Sequence, residues 1–199
     1  MASITAPSHA KTFTVSDGTK YGYISIQAQP SKPTLLFLHG YPSSSYHWHN
    51  QVQQSIGAGY GVIVPDLLGY GDTDKPTEVT AYDNTVMAKH VIEILDHENL
   101  PIVVGIGHDW GSLFLSTAAR LYPRRFSLLV FLAVAYIASQ APLTDIDAVN
   151  AQSTKLLGRP TYGYWHFHNR ADAASIIENA DVSPNHLAHR SGSLHPTKS

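Results

Sequence analysis

The sequence predicts an α/β fold with a mostly parallel sheet, and three observations carry that prediction. Short, continuously apolar runs recur between stretches with helical spacing, as strands covered on both faces require. Strand and helix alternate from about residue 20 to residue 136, the order of parallel strands joined by right-handed crossovers. The 199 residues, 43% of them hydrophobic and with a formal net charge of -2, suffice for one soluble domain with a real core and a small appendage.

Taken in order, "KYGYISIQAQ" (Lys20 to Gln29) alternates with period two and predicts a half-exposed strand. "TLLFLH" (Thr34 to His39) is apolar throughout, so a buried strand is expected, and "HWHNQVQQSI" after it predicts a helix. "GYGVIVPDL" (Gly59 to Leu67) is the next buried strand. Between Tyr82 and Asn99, Met87, Val91, Ile94 and Leu95 form one helical stripe, ended by Asn99-Leu100-Pro101. "PIVVGIGH" is another buried strand, "WGSLFLSTAARLY" a helix stopped at Pro123, and Phe126 to Tyr136 a fourth buried strand. Thereafter the alternation stops. "LTDIDAVNAQSTKLL" and "NRADAASIIENA" have helical character, with "GRPTYGYWHFH" between them. The expected organisation is a core over 1–139, a helical insertion over 140–180 and a disordered tail over 181–199.

Composition excludes several functions. No basic surplus or polybasic run points to nucleic acid or to a membrane surface. The chain holds no cysteine, which removes disulfides, thiolate catalysis and zinc–thiolate sites. "MASITAPSHAKTF" lacks the apolar core of a signal peptide, and the run from Phe126 to Ala138 is too short to span a bilayer, so a cytoplasmic location is expected.

"VVGIGHDWGS" (Val103 to Ser112) carries the chemistry. As a dinucleotide loop it fails: it follows a late strand, its glycine spacing is one residue too long, and no acid stands about 20 positions on. As a sharp strand-to-helix turn it succeeds. Gly107 and Gly111 make room for the bend, and Asp109 stands at its apex beside a helix N-terminus that favours negative charge. A helix N-cap would also account for Asp109, but not for the flanking glycines. The histidine pairs His47-x-His49 and His166-x-His168 offer a metal no third ligand, so neither metal nor organic cofactor is expected.

From roughly Thr14 to Asn179 the chain resembles α/β-hydrolases of the epoxide hydrolase type, most of all fungal members. The resemblance rests on His39-Gly40-Tyr41-Pro42 followed by Trp48, on "PDLLGYGDTDKP" (Pro65 to Pro76), on "GHDWGS", and on "GYWHFH" (Gly163 to His168). It implies the α/β-hydrolase fold with a helical cap, and an aspartate nucleophile at Asp109. It also implies a cap tyrosine at Tyr164 that donates to the epoxide oxygen, with Tyr162 as local rival, and an oxyanion hole from the backbone N–H groups of Tyr41 and Trp110. Pro42 would take a cis bond. The implied substrate is a small apolar epoxide, opened to a vicinal diol. A carboxylate is ionised at neutral pH and can displace at saturated carbon, whereas no Gly-x-Ser-x-Gly for acyl chemistry occurs here. Haloalkane dehalogenases share the aspartate turn and are the alternative, with Trp110 as halide donor, but this chain has Tyr41 where they often place Asn.

The sequence departs from the pattern after the insertion. No apolar strand follows Tyr136 to bring a second acid and a histidine to the site. The tail offers Asp181, His186, His189 and His195, whose spacing suggests no such role. The expectation is therefore a sheet lacking its last strands, a partial cap, and a truncated, catalytically incomplete enzyme that alkylates Asp109 without turning over. Its last strand would be an uncovered edge able to self-associate.

Overall fold

The computed structural model describes residues 1–138 and 145–179. The tail over 181–199, with Asp181, His186, His189 and His195, lies outside them. One compact unit runs to Gln140 and a second begins at Ala141.

In the first unit, β1 (Ala10–Thr14), β2 (Lys20–Ile26), β3 (Thr34–Leu38), β4 (Gly61–Pro65), β5 (Val103–His108) and β6 (Phe126–Leu132) form one sheet in the order β1-β2-β4-β3-β5-β6. β1 and β2 run antiparallel to their neighbours, and the other four strands are parallel. This is the mostly parallel sheet that the alternation predicts. Helices α2 (His49–Gly57), α3 (Asn84–His97) and α4 (Trp110–Leu121) make the crossovers, and a short α1 (Ala2–Thr5) precedes the sheet.

The apolar runs are continuous because both faces of each central strand are covered. Leu36, Leu38 and Ile63 enter a core with Val91, Leu95, Phe114 and Leu115 of α3 and α4. Phe37, Val62 and Val64 point the other way, onto Trp48 and Val52. Burying each such side chain contributes about 1.5–3 kcal/mol. Asp83 caps α3, its carboxylate accepting from the N–H of Thr85 (2.7 Å) and Val86 (3.2 Å), and Asn99 turns the chain away with φ 57°.

Two strands differ from expectation. β2 is not half-exposed: Tyr21 to Ser25 are all buried, because core covers both faces of the strand, Tyr21 and Tyr23 entering one cluster and Ile24 the other. Its tyrosine rings enter the core while their hydroxyls reach partners, Tyr23 donating to Glu98 (2.6 Å) and Tyr21 pairing with His90 (3.3 Å). β6 is not buried and ends at Leu132, where Ala133 takes φ 66°. Leu129 and Phe131 pack on the α4 side, whereas Leu128 and Leu132 are 59% and 41% exposed. Among the described residues it forms one edge of the sheet, opposite β1.

In the second unit the described residues form α5 (Ile146–Leu157), α6 (Gly163–His168) and α7 (Ala173–Asn179). Asp145 caps α5 through the N–H of Asp147 (3.0 Å) and Ala148 (3.2 Å), and Gly158 ends it in the left-handed conformation. α6 falls in the segment that sequence periodicity left unassigned. No helix among the described residues is long and apolar enough to cross a membrane.

Candidate active site

β5 passes into α4 through a single residue. Asp109 adopts φ 56°, ψ -123°, a conformation costly for a side chain larger than glycine and sustained only by its surroundings. Three glycines supply the room. A Cβ on Gly107 would lie 2.6 Å from the Gly111 carbonyl oxygen, and one on Gly111 would collide with the Leu38 carbonyl oxygen. A Cβ on Gly40 would collide with the Asp109 carboxylate. The turn is then bolted from beneath. Asp109 N–H donates to the Leu132 carbonyl (3.1 Å), and the buried Ser112 hydroxyl contacts the carbonyl oxygens of Gly107 (2.8 Å) and Leu132 (3.2 Å).

The Asp109 side chain does not cap α4. It reaches instead to the loop after β3, where Oδ1 accepts a hydrogen bond from the Tyr41 backbone N–H at 3.0 Å. The capping explanation of Asp109 therefore fails. A half-buried carboxylate stands at the bend with Oδ1 engaged, beside the N-terminus of α4, whose dipole favours negative charge. Asp109, Tyr41 and Trp110 are thus brought together by β3, β5 and the start of α4. The Tyr41–Pro42 bond is cis.

Around this turn the loops after β3 and β4 are fixed by groups that sequence reasoning left without a role. His39 is fully buried; its Nδ1 donates to the Gly40 carbonyl (3.0 Å) while Nε2 accepts from Leu67 N–H (3.0 Å). That arrangement needs the neutral ring, and burial lowers its pKa accordingly. Asp66, also fully buried, accepts from the N–H groups of Ser45 (2.8 Å), Ala2 (2.9 Å) and Asp72 (2.9 Å). Burial opposes its ionisation, but those donors outweigh it and hold the carboxyl below the usual carboxylate range. The available signal was an acid directly after an apolar strand, at Pro65-Asp66.

His108 lies on the turn but faces elsewhere, its ring stacked on His47 at 4.8 Å and edge-on to Trp48 at 6.4 Å. His47 and His49 have different neighbours, His49 stacking on Tyr46 at 4.7 Å, and His166 pairs with Asp147 at 3.1 Å. No group of three or more metal-ligating side chains is gathered among the described residues. Tyr164 belongs to the second unit, on α6, 39% exposed, with its ring 6.3 Å from Tyr162 and 6.1 Å from His168.

Comparison with known proteins agrees with this architecture. The chain is 31% identical over 169 residues to an epoxide hydrolase of Caballeronia sordidicola, covering 84% of this chain and 50% of that protein. It is 31% identical over 153 residues to epoxide hydrolase 2 of Siraitia grosvenorii, covering 77% and 47%. Among solved structures it is similar to an epoxide hydrolase from Vigna radiata (TM-score 0.72, 23% identity, 95% and 56% covered), a likeness of fold. It is also similar to epoxide hydrolase A of Mycobacterium thermoresistibile (TM-score 0.65, 26% identity, 96% and 61% covered). The chain spans about half the length of the relatives it matches. Residues 33–167 match the family described as alpha/beta hydrolase fold, and with the strand–Asp109–helix turn in place the chain belongs to that family, among relatives that are epoxide hydrolases.

Proposed function

We propose that this chain opens epoxides through a covalent ester on Asp109. The observation that carries the reading is the Asp109 carboxylate itself, raised on a glycine-lined bend, not capping its helix, and, among the described residues, engaged through Oδ1 alone by the Tyr41 N–H. Oδ2 attacks an epoxide carbon, the carbon–oxygen bond breaks, and the released alkoxide takes a proton from Tyr164. The second unit then acts as the partial cap that supplies this donor. Oδ1, already on the Tyr41 N–H, becomes the ester carbonyl oxygen. When water later attacks that ester, charge develops on the same atom, where the N–H groups of Tyr41 and Trp110 serve as oxyanion hole. The names of the relatives favour an epoxide over an alkyl halide as electrophile.

Hydrolysis of the ester further requires a histidine, oriented by an acid, to activate water. Among the described residues the Asp109 carboxylate accepts from Tyr41, and no histidine is hydrogen-bonded to it. The residues assembled here account for alkylation, the first half of that cycle. Self-association through β6 belongs to the same reading, supported by its exposed Leu128 and Leu132 and the absence of charge, proline or glycine from Phe126 to Leu132. A monomer by size-exclusion chromatography contradicts that part.

The chemistry is tested by intact mass after incubation with a reactive epoxide and, separately, with an alkyl chloride of matched length. The expected result is a single epoxide adduct, no halide release, and no adduct on the Asp109→Asn variant. Catalytic formation of diol contradicts the half-cycle, and an undiminished adduct on Asp109→Asn contradicts the nucleophile.

A further inference from the structure

Tyr70 lies in the loop after β4, at the same carboxyl end of the sheet as Asp109, where ligands of open α/β sheets bind. Its position is imposed rather than adopted freely. Gly69 and Gly71 on either side hold φ of 87° and 51°, and a Cβ on Gly71 would collide with the Asp66 carboxylate. Tyr70 N–H donates to the Leu67 carbonyl (2.9 Å) and its own carbonyl accepts from Thr73 (3.1 Å), closing the turn. The ring meets the buried His39 imidazole edge-on at 5.1 Å. That imidazole is itself fixed through Gly40 and Leu67, so the phenol rests on a rigid support.

The side chain is half-buried, packing against the main core, and among the described residues its hydroxyl makes no hydrogen bond. It forms one wall of a depression of about 690 Å³ with Pro42, Ser43, Tyr46, His47 and Lys75, and so opens beside the loop that holds the Asp109 carboxylate. Burial, then the charges of Tyr41 and Asp109, raise the phenol above its ordinary range, which keeps the proton on it at neutral pH. A rigid, half-buried hydroxyl with its proton retained and no partner is a hydrogen-bond donor waiting for an acceptor.

We infer that Tyr70 is a specificity-determining residue, donating to an acceptor oxygen of the substrate other than the epoxide oxygen, so that the chain favours epoxides carrying an ether, ester or hydroxyl oxygen near the ring. The inference rests on the reading of Asp109 as nucleophile and deepens it. A site that offers a donor loses affinity for analogues without the acceptor, since the donor is then left dry and unpaired.

The experiment follows Asp109 alkylation by peptide mass spectrometry, using butyl glycidyl ether and its isostere with a methylene in place of the ether oxygen. The readout is the ratio of the two rates, taken for the wild type and for Tyr70→Phe, because a ratio cancels any general loss of folded protein. The expected result is a ratio about tenfold lower in Tyr70→Phe, with the isostere's rate unchanged or raised, the worth of one neutral hydrogen bond. An unchanged ratio with Asp109 still alkylated overturns the role of Tyr70 and leaves the nucleophile intact. Equal losses on both probes reduce Tyr70 to a packing residue and also overturn the inference. No adduct on wild-type Asp109 overturns the nucleophile and the inference together.

Discussion

Two aspartates flank β3 at the carboxyl end of the sheet and stand in opposite surroundings. Asp66, after β4, is fully buried and accepts from three backbone N–H groups contributed by α1, the turn before α2 and the loop at Asp72. Asp109, after β5, is half-buried, and among the described residues its carboxylate accepts from one, that of Tyr41. The lone pairs of the first carboxylate are spent on holding loops together, and nothing is left to attack an electrophile. The second has an oxygen to spare on a backbone that costs energy to maintain. Carboxylate chemistry is thus decided by how many donors the fold directs at the group, not by residue type.

Several measurements break or sharpen this contrast. The largest effect is expected from Asp66→Ala, which leaves the N–H groups of Ala2, Ser45 and Asp72 without their acceptor. Stability should fall on the order of 3 kcal/mol in urea denaturation, whereas Asp109→Asn should change it by under about 1 kcal/mol. Equal losses at the two positions would erase the distinction. Next comes Gly111→Ala, whose methyl group would collide with the Leu38 carbonyl oxygen, at a cost of about 1–3 kcal/mol. Gly57→Ala in α2 meets open space and should be neutral or slightly stabilising.

A pH dependence follows from Asp66. Its folded pKa is depressed, so its contribution is complete above the range of an unfolded carboxyl, about pH 4, and is lost as pH falls through the folded value. The wild type should lose stability more steeply below that pH than Asp66→Asn. Parallel acid titrations followed by circular dichroism would refute this with superimposable slopes. The smallest effect is expected from Tyr41→Phe. The donor to Asp109 is the backbone N–H, so Asp109 alkylation should stay within about threefold of wild type; a loss of a hundredfold would assign the role to the side chain.

The sequence was informative wherever one local pattern determined the outcome. β3, β4 and β5 are legible because strands covered on both faces leave unbroken apolar runs. The Asp109 bend is legible because Gly107 and Gly111 sit within two residues of it. β2 was misjudged because alternation counts tyrosine and serine as solvent-facing, although the hydroxyls of Tyr23 and Ser25 are satisfied by Glu98, more than 70 positions away. β6 was misjudged because an apolar run reveals β-propensity but not whether a neighbour covers it. β1, with Lys11 among its five residues, gave no pattern, and its register on β2 exists only in the folded sheet. The roles of Asp66 and Tyr70 were not legible because their partners come from separate loops whose meeting point no spacing encodes.

The most direct test maps the covalent adduct after exposure to a reactive epoxide, comparing the peptides that contain Asp66 and Asp109 in one digest of the wild-type protein. The account predicts an ester on Asp109 and an unmodified Asp66. Modification of both to similar extents, or of neither, would contradict it.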